Sequence, residues 1–345
     1  MNIKECKNRL MKIIKGGFTE LATMLWGASG IGKTTIILSI GNELSLPVIM
    51  LSLNKMSPVD IMGVPFYDKE TGKTVWGVPS IYPDEKRDGK SGILFIDEIN
   101  TAAPSVQAAA YQLILDRKVG NYSLPKGWFI IAAGNRSKDK GVTFKMAAPL
   151  NNRFAMHMTV EPSIEIWTEW AYKHAINPSV IGFLNWQPEY LHKQPEELED
   201  GKGFPTPRSW ESVSKLLSIY DGEEALDAIA DCVGEGVAAE FASYMKVYQQ
   251  LPDTEAILSG KITKCELDKT NASLMYAIST SIFSNIFKNF TFDRVNNGMG
   301  YLNQLEVSYV YLAARYLLEK NTELTMKTPN FKAFIDKHKD VILAS

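Results

Sequence analysis

The first half of the chain alternates short apolar runs with helical stripes. Ile3 to Ile14 places Ile3, Cys6, Leu10 and Ile13 on one face, with Lys4, Lys7, Arg9 and Lys12 mostly elsewhere, which predicts a short amphipathic helix. Its basic residues read as a solvated face, with a nucleic-acid patch as the other reading. Leu21 to Leu25 predicts a short buried strand. Thr34 to Ser45 carries Ile36, Ile37, Ile40 and Leu44 at helical spacing, and Pro47 to Leu53 reads as strand again. Ser57-Pro58-Val59-Asp60 opens like a helix, with Ser57 as cap and Pro58 in the first turn. Val64 to Asp68 and Lys73 to Gly77 flank Lys69-Glu70-Thr71-Gly72, a hairpin pattern. Two readings of that hairpin stand side by side: a moving or binding element, or an elaboration whose Phe66, Tyr67 and Trp76 pack onto the body. Ile93 to Ile96 and Trp128 to Ala133 are uninterrupted apolar runs, as parallel strands covered on both faces require. Between them lie a helix over Ala103 to Asp116 and a turn over Arg117 to Gly120.

Past Val160 the pattern turns helical. Ser163 to Ala175 has Ile164, Trp167, Trp170 and Ala171 at core spacing. Gln187 to Gly203, rich in Glu, Pro and Gly, predicts a loop leading into the helix that bears Arg208. Ala225 to Tyr248 predicts one long helix or two short ones, and Asn271 to Phe287 another. Tyr301 to Leu318 predicts a last substantial helix with Leu302, Leu305, Tyr309, Leu312 and Tyr316 in a stripe, and Gly298-Met299-Gly300 a turn before it.

Composition narrows the class. The 345 residues are 45% apolar, enough for real cores and about two domains. A net charge of −2 and a pI near 6.2 provide no overall field for nucleic acid or acidic membrane. Cys6, Cys232 and Cys265 are scattered, which suits a reducing cytosol rather than a disulfide framework or zinc site. The N-terminus has no signal-type apolar core. Ser279, Thr280, Ser281, Ser284 and Asn285 interrupt the most apolar late segment, which argues against a membrane span. A soluble cytoplasmic protein is expected.

Candidate chemistry sits at the ends of the apolar runs. Gly27-Ala28-Ser29-Gly30-Ile31-Gly32-Lys33-Thr34 fits Gly-x-x-x-x-Gly-Lys-[Ser/Thr] between a predicted strand and a predicted helix. Glycines let backbone N–H groups surround an anion, and the helix start adds its positive dipole end. Gly27 to Thr35 are thus expected to bind a nucleotide, with Lys33 on the terminal phosphates and Thr34 on Mg²⁺. Asn54-Lys55-Met56-Ser57 lacks the Asp of a guanine-reading Asn-Lys-x-Asp, so nothing favours GTP. Asp97 and Glu98 end the Ile93 strand, where ligands bind in α/β sheets. Asp97 is placed to hold Mg²⁺ and Glu98 to polarise an attacking water. Asn135, at the tip of the Trp128 strand, is placed to bond the γ-phosphate or that water.

These motifs, with Phe95 to Asn100, Ala132 to Arg136 and Pro149-Leu150-Asn151-Asn152-Arg153-Phe154, resemble an AAA+ ATPase. Asp60-Ile61-Met62-Gly63-Val64-Pro65 and its hairpin resemble the MoxR branch of the helix-2-insert clade, and Pro205-Thr206-Pro207-Arg208-Ser209 resembles that branch's sensor 2. The resemblance spans roughly 18–217. It implies an α/β P-loop AAA+ core, a parallel sheet flanked by helices, over residues 1–161, with the insert at about 57–83. An all-α lid over 162–220 and a C-terminal helical extension over 221–345 would follow. It implies Walker A at Gly27, Gly32, Lys33 and Thr34, Walker B at Asp97 and Glu98, sensor 1 at Asn135 and sensor 2 at Arg208. Arg153 would be an arginine finger serving a neighbour's γ-phosphate, so a homo-oligomeric, hexameric ring is implied. Arg136 and Lys145 either assist that finger or face solvent.

Two functions follow. One is an ATP- and Mg²⁺-dependent remodeller of a protein client, working with a separate von Willebrand factor A-domain partner. The other is a nucleic-acid-stimulated motor subunit of a DNA-acting complex, which the charge disfavours.

Overall fold

The computed structural model describes residues 1–136, 139, 144–146, 148–195 and 202–339. They form two compact units, Met1–Pro162 and Ser163–Ser345.

In the first unit, α1 (Ile3–Lys15) starts at a capping box: the Asn2 side chain accepts from the Glu5 N–H at 2.9 Å, and Glu5 accepts from the Asn2 N–H at 3.2 Å. It buries Cys6, Leu10 and Ile14, a face rotated slightly from the expected one through Ile13. Then come β1 (Thr23–Trp26), α2 (Lys33–Leu44), β2 (Val48–Ser52) and α3 (Pro58–Met62). The expected Ser57 cap is present, reciprocated by Asp60. Strands β3 (Pro65–Asp68) and β4 (Lys73–Trp76) pair antiparallel as the predicted hairpin. Val64, Phe66 and Tyr67 are 61%, 53% and 66% exposed, so the hairpin's aromatic face is not packed onto the body; only Trp76 is half-buried. The chain continues through α4 (Glu85–Asp88), β5 (Ser91–Asp97) and α5 (Pro104–Asp116). A tiny hairpin, β6 (Lys118–Val119) and β7 (Tyr122–Ser123), stands where a plain turn was expected. β8 (Gly127–Gly134), α6 (Ala148–Asn151) and β9 (Met156–Thr159) complete the unit.

The sheet runs β2-β5-β8-β1-β9 and every pairing in it is parallel. Successive side chains point to opposite faces. Leu25, Phe95 and Ile131 accordingly meet Cys6, Ile36, Ile37 and Ile40 of α1 and α2. Met24, Leu94, Ile96 and Ile130 meet Val106, Ala110 and Leu113 of α5. Burial on both faces explains the uninterrupted apolar runs in β5 and β8. The edge strand β9 has no such run, since Met158 is its one buried residue, and its pattern did not predict a strand.

The second unit is helical throughout its described residues: α7 (Ile164–Lys173), α8 (Pro178–Trp186), α9 (Pro207–Leu216), α10 (Gly222–Val233), α11 (Glu235–Tyr248), α12 (Thr254–Leu258), α13 (Ala272–Lys288), α14 (Phe292–Leu302), α15 (Tyr311–Lys320), α16 (Thr322–Lys327) and α17 (Pro329–Lys337). Gly234, at φ 84°, breaks the 225–248 segment into two helices. Part of the expected 187–203 loop, residues 196–201, lies outside the described residues. One core joins Trp167, Phe183 and Trp210 to Phe241, Ile278, Val295 and Phe334, so helices from both sides of residue 220 share it. Its centre is α13, buried nearly all round. Two of its hydroxyls turn to backbone carbonyls, Ser279 to Tyr309 at 2.6 Å and Thr280 to Tyr276 at 2.8 Å. No helix among the described residues is long and apolar enough to cross a membrane.

Two expectations fail here. Gly298-Met299-Gly300 is not a turn but the last part of α14. The glycines serve close approach: a Cβ at Gly298 would lie 2.8 Å from Ile286 Cδ1, and one at Gly300 2.6 Å from Asn330 Nδ2. Nor is 301–318 one helix. α14 ends at Leu302, a 3₁₀ turn covers Val307–Tyr309, and α15 begins at Tyr311. Leu302, Leu305 and Tyr316 are buried all the same, because the break folds them into the same core.

Candidate active site

β1 delivers the chain into the glycine loop at the C-terminal edge of the sheet, and α2 leaves it. Gly32 sits at φ 92°, a region a side chain enters only with strain, and no side chain caps α2. The first-turn N–H groups of α2, which carries no acidic residue there, are therefore offered to an anion. Ser29 and Thr35 are exposed, whereas Gly27, Ala28 and Ile31 are buried. Gly27 has no room for a side chain, since its Cβ would lie 2.7 Å from the Val160 carbonyl oxygen.

Lys33 is 9% exposed. Its ammonium donates to the carbonyls of Gly27 at 2.6 Å and Ala28 at 2.8 Å, and to Asn135 Oδ1 at 3.3 Å. Burial pushes its pKa down to about 8, against the opposing pull of Asp97, Asp139 and Glu98. This has a consequence for any phosphate ligand, which needs the charged form and would stabilise it. Raising pH through 8 discharges the free protein first, so affinity falls on the alkaline side, by about tenfold at pH 9 relative to pH 7. Titrating ATP binding from pH 7 to 9.5 checks this; a flat profile would contradict it.

The Thr34 hydroxyl donates to Asp97 Oδ2 at 2.9 Å, so the two expected Mg²⁺ ligands already meet. The other Asp97 oxygen accepts the Glu98 N–H at 2.9 Å. Glu98 lies at φ 54°, a left-handed conformation that costs a side-chain-bearing residue on the order of 1 kcal/mol. Its neighbours hold it there: Thr101 Oγ1 donates to the Glu98 carbonyl at 2.9 Å, and the Ile99 N–H donates to Ala133 at 3.0 Å. The Glu98 carboxylate accepts from Asn54 Nδ2, in the turn that follows β2.

Asn135 follows β8, beside β5. The buried Asn100 pairs with its backbone, donating to the Asn135 carbonyl at 2.7 Å and accepting its N–H at 3.0 Å. A Cβ at Gly134 would lie 2.5 Å from Asn100 Oδ1, so the glycine makes room for this clamp. Asn54 and Asn100 carried no role in the sequence reading. The available signal was a polar residue just past a strand end next to the Asp97-Glu98 strand, and that requires the sheet order.

Lys33 and Asn135 thus meet, as do Thr34, Asp97 and Glu98, and the Lys33–Thr34 peptide bond joins the two sets. Arg153 stands outside them among the described residues: exposed, on the turn after α6, with Nε donating to Tyr111 Oη at 3.2 Å. Arg208, exposed, is the second residue of α9 in the other unit, where the Thr206 hydroxyl caps the Ser209 N–H at 3.0 Å. Arg136 pairs with Asp139 at 2.8 Å and with Glu161, and Lys145 is exposed.

Residues 23–162 match the profile of the AAA family, the ATPase family associated with various cellular activities. No curated protein matches the chain. Among solved structures, a RuvB mutant from Thermotoga maritima is 17% identical, with 93% of this chain and 88% of that one covered and a TM-score of 0.40. The RuvB Holliday junction branch migration motor of the same organism is 16% identical, covering 92% and 87%, with a TM-score of 0.37. NtrX from Brucella abortus, in complex with ADP, is 15% identical, covering 97% and 68%, with a TM-score of 0.41. Likenesses this loose carry no assignment of activity.

Proposed function

We propose, from the premise that residues 23–162 carry an AAA ATPase domain, that this chain hydrolyses ATP at a site completed by a second copy of itself. The observation that supports this best is the convergence of Lys33, Thr34, Asp97, Glu98 and Asn135 at the C-terminal edge of a parallel sheet. The loop N–H groups and Lys33 hold the triphosphate. Thr34 and Asp97 would hold Mg²⁺, which neutralises charge on the β- and γ-phosphates. Glu98 takes the proton of the attacking water, while Asn54 Nδ2 bonds one of its two carboxylate oxygens. Asn135, fixed by Asn100, orients that water or the γ-phosphate.

This group holds one cation, Lys33, and no arginine. Arg153 is exposed on a separate turn, which fits donation to a neighbouring copy's phosphate, and a head-to-tail contact of that kind forms a ring when its rotation closes. Arg208 would add a second arginine. We take the ring as a hexameric MoxR-type remodeller with a von Willebrand factor A-domain partner. The exposed Val64, Phe66 and Tyr67 of the hairpin are the surface it would press against a protein client.

Turnover per chain, measured with ATP and Mg²⁺ across a thousandfold range of protein concentration beside the particle mass, tests the shared site. The two should rise together. Constant turnover from a species that stays monomeric would contradict the proposal.

A further inference from the structure

His157 has both ring nitrogens engaged, and the two partners belong to different parts of the site. Trp26 Nε1 donates to His157 Nδ1 at 2.9 Å, and Trp26 is bonded directly to Gly27 of the phosphate loop. His157 Nε2 lies 3.0 Å from the carbonyl of Asn151, the last residue of α6 and two before Arg153. An indole N–H only donates, so Nδ1 must be bare and Nε2 must carry the proton. In this arrangement Nε2 is the donor to the Asn151 carbonyl. Strand pairing sets this up: Met24 lies opposite His157 and Trp26 opposite Thr159, which makes Trp26 and His157 diagonal neighbours on one face. The two rings stack at 6.3 Å, and Phe154, adjoining Arg153, packs edge-on to the imidazole at 6.0 Å.

We propose that His157 is a positioning residue: it ties the strand entering a copy's own phosphate loop to the turn carrying the arginine that this copy lends to its neighbour. The consequence is a direct path between adjacent sites. A shift of the loop on binding or releasing nucleotide moves Trp26, and through His157 it moves the Asn151–Arg153 turn. This rests on the reading of Arg153 as a residue acting on another copy.

The test uses full-length chain in mixtures. His157→Phe removes both hydrogen bonds and keeps the ring. It is expected to bind ATP within about twofold of wild type and to lose about tenfold in kcat with little change in KM, because its own site is whole and only the finger it offers is displaced. Trp26→Phe, which removes the donor alone, should reproduce the kcat loss. His157→Gln, with one acceptor and one donor, should restore most of it. Mixed with Lys33→Ala, whose finger is intact and whose site is dead, His157→Phe should regain activity several-fold above that in a mixture with the Lys33→Ala, Arg153→Ala double variant. A His157→Phe chain that turns over like wild type, loses ATP binding, or is not rescued by Lys33→Ala overturns the inference. The same mixture made with Arg153→Ala separates the two levels. If that pair also fails to recover, the shared-site reading itself is wrong; if it recovers while His157→Phe does not, only the role of His157 falls.

Discussion

Glu98→Gln binds ATP at near-normal affinity and loses about two to three orders of magnitude in turnover. The size of the effect follows from how little else the substitution changes. A glutamine amide oxygen still accepts from Asn54 Nδ2, and the backbone at φ 54° is held by Thr101 and Ala133, which touch only main-chain atoms of this segment. Lys33, Thr34 and Asp97 are bonded to one another's surroundings without the Glu98 side chain, so the phosphate cradle stays assembled. What is lost is basicity at the one carboxylate not committed to Thr34. Single-turnover hydrolysis beside equilibrium ATP binding separates the two effects. Hydrolysis at the normal rate would remove Glu98 from its role.

The parts of this site that were legible in the sequence are those whose chemistry is local. The glycine loop announces itself through residue types at fixed spacing, and Asp97-Glu98 through two carboxylates at the end of an apolar run. Asn54 and Asn100 were not legible, because each acts across the sheet. Asn54 reaches Glu98 because β2 neighbours β5, and Asn100 clamps Asn135 because β5 neighbours β8. His157 depends on a strand, β9, whose existence comes from pairing with β1 rather than from its own pattern. In the second unit, Gly298 and Gly300 misled for the opposite reason. Glycine pairs usually mark turns, but here the backbone of α14 must come close to Ile286 and Asn330, and packing outweighs the roughly 1 kcal/mol that each glycine costs a helix.

The second large effect concerns Arg153. Arg153→Ala should keep ATP binding, since Arg153 shares no hydrogen bond with the Lys33 group among the described residues, and Tyr111 is the partner it leaves. Turnover should nonetheless fall by about 10³-fold or more, the scale on which arginines supplied by a neighbour act in phosphoryl transfer. Loss of fold is not expected from an exposed side chain with one hydrogen bond at 3.2 Å to a hydroxyl.

The measurement that bears most directly on a site divided between two copies is the turnover of an equal mixture of Arg153→Ala and Lys33→Ala, each inactive alone. Random assembly places an intact finger against an intact phosphate loop at about one contact in four, so the mixture should recover about a quarter of wild-type turnover per chain. A mixture that assembles and stays as inactive as its components would show that each copy works with its own arginine or with none.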